Sequence, residues 1–214
     1  MRPIFITGTG TGIGKTVAAA IVTAALGGDY WKPIQAGVEE GTDAGTVAQL
    51  LASAAGRIHP ELYKLRLPVS PHLAAAQEGL RIDLDDIAAR LPQTTNPLVI
   101  EGAGGLYVPL NDREFVWNLV QKLGAHVILV SRNYLGSINH SLLTAELCKA
   151  KGLKVAGWIF NDDYLHYEEE IAGWSGYPII AKLPRMPLIN HETISLQAQQ
   201  IKNKLVEMIE KNGV

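Results

Sequence analysis

Short runs of apolar and β-branched residues recur along the chain, and each ends abruptly at glycine, asparagine, proline or a polar group. They are IFITG (4–8), PLVIEG (97–102), HVILVS (126–131), KVAGWIFND (154–162) and YPIIAKLP (177–184). Such runs are nearly continuous rather than alternating, which predicts strands buried on both faces. Helical periodicity fills the intervals, over 14–27, 43–54, 72–79, 83–91, 114–123, 137–150 and 193–210. Strand and helix in alternation predict a doubly wound α/β fold, a mainly parallel sheet with helices on both faces, as a single domain over 1–214. Sheets of this kind bind ligands at the carboxyl ends of their strands. That rule directs attention to the residues just beyond the apolar runs: the glycine loop 8–14, Lys32, Glu101 and Asn161.

Composition narrows the function classes. The chain has 214 residues, 47% of them hydrophobic, enough for a sizeable core without disulfides or metals. Nineteen basic against 21 acidic residues give a net charge of −2, with no basic run, which argues against broad electrostatic binding to nucleic acid. The one cysteine, Cys148, lies in an apolar helical pattern, as expected of a packing residue in a reducing compartment. No stretch approaches the ~18 apolar residues of a membrane span, and MRPIFITGTG is unlike a secretory leader. The expectation is a cytoplasmic protein bound neither to membrane nor to nucleic acid.

The chemistry begins at GTGTGIGKT, residues 8–16. A strand precedes it and the helical KTVAAAIVTAAL follows, the context a phosphate-binding loop requires. A helix start offers unpaired N–H groups and a positive dipole end to an anion. Lys15 is placed to reach the outer phosphates, and the Thr16 hydroxyl to ligate Mg²⁺. The usual loop spacing wants a glycine where Thr9 stands. A second metal-binding acid is offered by Glu101, at the end of an apolar run and followed by Gly102, Gly104 and Gly105. Pattern alone leaves other residues open. Asp43 reads as an ordinary first-turn acid, Lys32 as a surface lysine, and Asn161-Asp162 as a strand-end turn. Ser70-Pro71 reads as an N-cap followed by a first-turn proline. His59, His126, His166 and His191 have no ligand spacing, and no zinc motif is present. These residues describe a small Mg²⁺-dependent P-loop NTPase-like protein and do not say what receives the phosphoryl group.

Seven stretches in order resemble the dethiobiotin synthetase family: GTGTGIGKT (8–16), KPIQAG (32–37), SPH (70–72), EGAGGLYVPL (101–110), LGSINHSLLTAE (135–146), AGWIFND (156–162) and LPRMP (183–187). The loop alone is widely shared, whereas EGAGG…VPL followed by LGSINH is far more specific. Family members are similar in carrying one extra residue between the first glycine and GKT, so Thr9 fits that spacing. The resemblance implies an ATP- and Mg²⁺-dependent ligase of biotin biosynthesis. It would convert 7,8-diaminopelargonate and CO₂ to dethiobiotin through a phosphorylated carbamate, as a homodimer. It also implies roles. Lys15, Lys32 and Thr11 would be catalytic, with Lys32 also touching substrate. Gly12, Ile13, Gly14, Lys15, Thr16 and Val17 would cradle the phosphates, joined by Gly102, Ala103 and Gly104. Thr16, Asp43 and Glu101 would surround Mg²⁺. Asn161, Asp162, Pro184, Arg185 and Met186 would hold the base. Ala36 would line the diamine site where the family pattern has a serine, and Ser137, Ile138 and Asn139 would receive the substrate carboxylate from a partner subunit. Gly10 and Gly12 replace larger residues of the pattern and leave those contacts to the backbone.

Two rivals share the loop. A cobyrinate-type amide synthetase would bring a glutaminase nucleophile, and Cys148 in its helical pattern is a poor candidate. A partitioning-type ATPase would carry an additional lysine early in the loop and a basic surface or tail. No lysine precedes Lys15 in the loop, and the tail LQAQQIKNKLVEMIEKNGV is mixed in charge.

Overall fold

The computed structural model describes residues 2–39, 41–52, 56–162 and 164–211. At its centre is β1 (Ile4–Gly8), hydrogen-bonded in parallel to β6 (Leu98–Glu101) on one side and β7 (His126–Arg132) on the other. The sheet grows outward from β6 through β2 (Asp29–Trp31) and β4 (Ile58–His59), and from β7 through β8 (Val155–Asn161) and β9 (Ile179–Leu183). All pairings in this seven-stranded sheet are parallel, so every strand delivers its carboxyl end to the same edge. A separate parallel pair joins β3 (Ile34–Ala36) to β5 (Tyr63–Leu65).

Helices cover both faces, which explains the unbroken apolar runs. Ile4 and Ile6 of β1 point into one core with α1 (Lys15–Leu26), α2 (Asp43–Leu51) and α8 (His191–Lys211). Phe5, between them, points into the other core with α5 (Val116–Lys122), α6 (Ser137–Ala150) and α7 (Glu168–Ser175). With a core on each face, neither register of side chains can be polar. The short helices α3 (Pro71–Gln77) and α4 (Leu84–Ala89) complete the second layer. Among the described residues no helix is long and apolar enough to cross a membrane.

The expected helices all form: the one over 137–150 keeps its bounds, the last lengthens to His191–Lys211, and the others shift or lose residues at their ends. The pattern over 43–54 stops at Leu51 because Ala52 turns left-handed (φ 46°), and residues 53–55 lie outside the described ones. Ser70 is the N-cap of α3 with Pro71 behind it, yet its hydroxyl meets His72 Nδ1 at 3.0 Å rather than a helix N–H. Pattern reading passes over α7, whose EEEIAGWS buries only Glu168, Ile171 and Ser175. It also passes over β2, three residues long and fully buried, because a run that short carries no periodicity.

Trp158 of β8 ties α7 to the sheet. It is fully buried, donates from Nε1 to Ser175 Oγ at 2.9 Å, and stacks on Phe160 with centroids 5.6 Å apart. Trp158→Ala is expected to cost about 3–5 kcal/mol, the range for emptying an aromatic site in a core. Urea unfolding checks this, and a loss below 1 kcal/mol would show that the layer closes without the ring.

Candidate active site

Gly8 ends β1 pressed against β7: a Cβ there would lie 2.3 Å from the Val130 carbonyl oxygen, and Thr9 N–H donates to that oxygen at 3.2 Å. The first glycine is therefore needed for strand packing, and the turn that leads into α1 runs on from Gly10 to Gly14. At its far end Gly14 is the left-handed N-cap of α1 (φ 89°), and no side chain caps the helix. The first amides of α1 are thus left for a ligand. Lys15, buried at 7% exposure, curls back and donates to Gly10 O at 2.6 Å. Burial pushes its ammonium down to about 8, with the Glu101 carboxylate pulling it up and Lys32 adding repulsion. Asn161, the last residue of β8, donates from Nδ2 to Ile13 O at 3.0 Å and so buttresses the loop from outside.

The strand ends bring a charged cluster to the mouth of this loop. Glu101, last in β6 and 1% exposed, accepts from Tyr30 OH at 2.8 Å through Oε2. Its Oε1 takes Thr16 Oγ1 at 2.9 Å and Lys32 Nζ at 3.1 Å. Asp43, first in α2, meets Thr16 Oγ1 at 3.1 Å through Oδ1 and Lys32 Nζ in a short ion pair through Oδ2. The Thr16 hydroxyl has one proton and cannot donate to both carboxylates at once. Three oxygens, Thr16 Oγ1, Asp43 Oδ1 and Glu101 Oε1, thus converge as an oxygen-only donor set suited to a hard divalent cation.

Lys32 is buried at 5% exposure. Burial alone would lower it, but the Glu101 and Asp43 carboxylates outweigh burial and raise its pKa, so it stays charged. Tyr30 is pushed well above its ordinary range by burial and by Glu101, so its phenol remains a donor. With Lys15 and Lys32 against Asp43 and Glu101 the cluster is balanced in charge. An incoming triphosphate would therefore bring its own demand for cations.

A cavity of about 680 Å³ opens over the cluster, lined by Thr11, Gly12, Gly14, Lys15, Thr16, Lys32, Ala36, Asp43, Glu101, Ala103 and Gly104 among others. A neighbouring one of about 830 Å³ is lined by Gly10 to Ile13 on one side and by Arg132, Asp162 and Arg185 on the other. The loop therefore separates two chambers. Asp162 and Arg185 lie in the second, while Pro184 and Met186 flank Arg185, Met186 packing on the α1 and α8 core. Val17 packs on that same core and Gly102 is buried, donating its N–H to Ile6 O at 2.9 Å. Ser137, Ile138 and Asn139, at the start of α6, line neither chamber.

Pattern reading missed two residues. Tyr30, which fixes Glu101, stands two positions before Lys32, the period at which a strand turns side chains to one side. Gln35 accepts the Asp43 N–H at 3.2 Å and donates to Ala36 O and Gly37 O, setting where α2 begins. Nothing in the sequence marked it.

A parallel sheet edged by a glycine loop, an uncapped helix, a lysine and an oxygen cluster defines a phosphate-binding-loop nucleotide enzyme. A family model described as an AAA domain matches residues 2–193. The chain is 46% identical to the ATP-dependent dethiobiotin synthetase of Cytophaga hutchinsonii over 94% of its length and 97% of that protein's. It is 40% identical to the ATP-dependent dethiobiotin synthetase of Christiangramia forsetii, over 97% and 99%. It belongs to the ATP-dependent dethiobiotin synthetase family. In fold it is similar to the septum site-determining protein MinD of Pyrococcus horikoshii in complex with Mg-ADP, with a TM-score of 0.55, 14% identity and coverage of 99% and 96%.

The loop geometry yields a test. A Cβ on Gly14 would lie 2.0 Å from Asn161 Nδ2, at a φ that side chains rarely adopt. Gly14→Ala is expected to weaken ATP binding by about tenfold or more, by calorimetry. Unchanged affinity would remove the Gly14–Asn161 contact from the cradle.

Proposed function

We propose that this chain catalyses the ATP-dependent carboxylation and ring closure of 7,8-diaminopelargonate to dethiobiotin in the cytoplasm. The observation that carries the proposal is the meeting of Lys15, Lys32 and the oxygens of Thr16, Asp43 and Glu101 in one cavity beside the loop. Family membership supplies the substrate class.

One amine of the diamine adds to CO₂ and loses a proton, giving a carbamate. The carbamate oxygen attacks the γ-phosphorus of ATP and ADP leaves, forming a carbamic–phosphoric mixed anhydride. The second amine attacks the carbamoyl carbon, phosphate leaves, and loss of a proton completes the cyclic urea. A carbamate is a poor electrophile, and phosphorylation turns one oxygen into a leaving group. The adjacent amine makes closure intramolecular, where effective molarities reach roughly 10⁵ M or more.

Phosphoryl transfer needs positioning and charge neutralisation. Lys15 would hold the β- and γ-phosphate oxygens, and Lys32 the carbamate and the charge that develops on transfer. Thr11 and the backbone of Gly102 to Gly104 would border the carbamate, and Ala36 the diamine. Thr16, Asp43 and Glu101 would hold Mg²⁺, which supplies charge compensation to the phosphates when bound. Gly12 to Val17 would cradle the phosphates. Asn161, Asp162 and Pro184 to Met186 would receive the purine in the second chamber.

The enzyme would act as a homodimer, with Ser137 to Asn139 of each subunit receiving the substrate carboxylate of the other. That they line neither chamber within one chain fits that arrangement. So does Ser137 Oγ, buried without a partner among the described residues at the uncapped start of α6. Leu135 beside it is 92% exposed, as a residue awaiting an interface would be.

Purified protein given ATP, Mg²⁺, bicarbonate and diaminopelargonate is expected to form dethiobiotin and phosphate in equal amounts. ATP turnover indifferent to the diamine would defeat the proposal. Lys32→Ala should lose product formation by at least about a hundredfold while retaining most of its nucleotide affinity. A normal rate in that variant would remove Lys32 from catalysis.

A further inference from the structure

Lys32 and the three-oxygen donor set share Glu101 Oε1 and draw on the same two carboxylates. Glu101 Oε1 accepts from Thr16 Oγ1 at 2.9 Å and from Lys32 Nζ at 3.1 Å, while Glu101 Oε2 is already taken by Tyr30. Asp43 divides its two oxygens differently, Oδ1 to Thr16 and Oδ2 to Lys32. Each carboxylate therefore faces both Thr16 and the ammonium. Glu101 is 1% and Lys32 5% exposed while the Asp43 side chain keeps 33% exposure, so the buried carboxylate beside a second one calls for a cation between them.

We infer that Lys32 and the divalent metal exchange for one site: the ammonium is the resident cation of the Asp43–Glu101 pair, and metal entry drives it off those oxygens into the cavity. The inference rests on the reading of Thr16, Asp43 and Glu101 as metal donors. A divalent ion held by Thr16, Asp43 and Glu101 would offset the charge that attracts Lys32, and would repel the ammonium. Among the described residues the hydrogen bonds of Lys32 Nζ go to those two carboxylates, and Lys32 lines the cavity. The cavity wall beside it holds Thr11, Lys15 and Ala36, the region assigned to the γ-phosphate and the carbamate.

Two consequences follow. Metal alone binds weakly, because it must displace a well-paired lysine that has nowhere anionic to go. Nucleotide and metal bind together, because the triphosphate both ligates the metal and offers Lys32 a new counter-charge. The lysine would thus reach its working position only when the metal–nucleotide complex is in place. Carbamate would meet a charged Lys32 at that point and not before.

The test uses Mn²⁺ alone, titrated into the full-length protein without nucleotide and followed by the loss of the free-ion electron paramagnetic resonance signal. Lys32→Met keeps the stem and removes the charge, and is expected to bind Mn²⁺ at least tenfold tighter than the unaltered protein. Lys32→Gln should do likewise, and Lys32→Met combined with Glu101→Gln should lose the gain, locating the ion. Because removing the lysine can loosen the fold, melting curves accompany the titration. Mn²⁺ should raise the melting temperature of either Lys32 variant by several degrees and leave the unaltered protein nearly unmoved. If Mn²⁺ binds the unaltered protein with ADP present, but neither variant binds Mn²⁺ more tightly without nucleotide, the exchange is refuted and the metal assignment stands. If Mn²⁺ fails to bind even with ADP, the donor assignment falls and the exchange with it.

Discussion

Glu101 is a carboxylate at the end of a strand buried on both faces, 1% exposed, and everything in the cavity is arranged about the need to keep it charged. A lone ionised carboxylate in such a place would neutralise itself by taking a proton. Here one oxygen receives the Tyr30 phenol and the other a threonine hydroxyl and an ammonium. The three partners arrive from β2, from the start of α1 and from the turn after β2, so the parallel sheet must form for the charge to be tolerated. Asp43 is drawn into the same arrangement through Thr16 and Lys32, with Gln35 holding its backbone. Fold and site are in this sense one problem: the sheet edge supplies the partners, and the partners allow an anion at the sheet edge.

The chemistry of the chain rests on what is built at the edge of its sheet. At 14% identity, likeness to MinD is a likeness of architecture, a loop on a parallel sheet that can present phosphate. What is built around Glu101 decides the chemistry. A switch ATPase needs a water aligned on the γ-phosphate. A ligase needs the opposite, a second substrate held there with water kept out. The cavity beside the loop is walled by Ala36, Ala103 and Gly104, small residues that leave room for a second substrate next to Lys32.

Much of this was legible in the sequence because the signals were local. Unbroken apolar runs reported strands with a core on each side, and β1 shows why, with Ile4 and Ile6 facing one core and Phe5 the other. GKT after a strand marked the loop that opens α1, and the acid ending LVIE marked the charged cluster beside it. Thr9, out of place for the common loop, fits the family spacing, and the structure adds that Gly8 packs against Val130. Other parts needed tertiary contacts. Tyr30 lies on a strand too short for any period to show and Lys32 just beyond its end, and pattern alone made Lys32 a surface lysine although it is 5% exposed. Gln35 acts on a backbone amide eight residues away, a contact that no motif encodes. Helix α7 hides because it buries one large apolar residue behind three acids.

The central claim is that the phosphoryl group passes from ATP to an oxygen that began as CO₂, and this can be followed atom by atom. With ¹⁸O-labelled bicarbonate in ordinary water, released phosphate examined by mass spectrometry should carry one ¹⁸O for each dethiobiotin formed. The label arrives because the carbamate oxygen that attacks phosphorus leaves with it at ring closure. Phosphate free of label, or labelled only when the water carries ¹⁸O, would mean that ATP is hydrolysed directly, and would contradict the account.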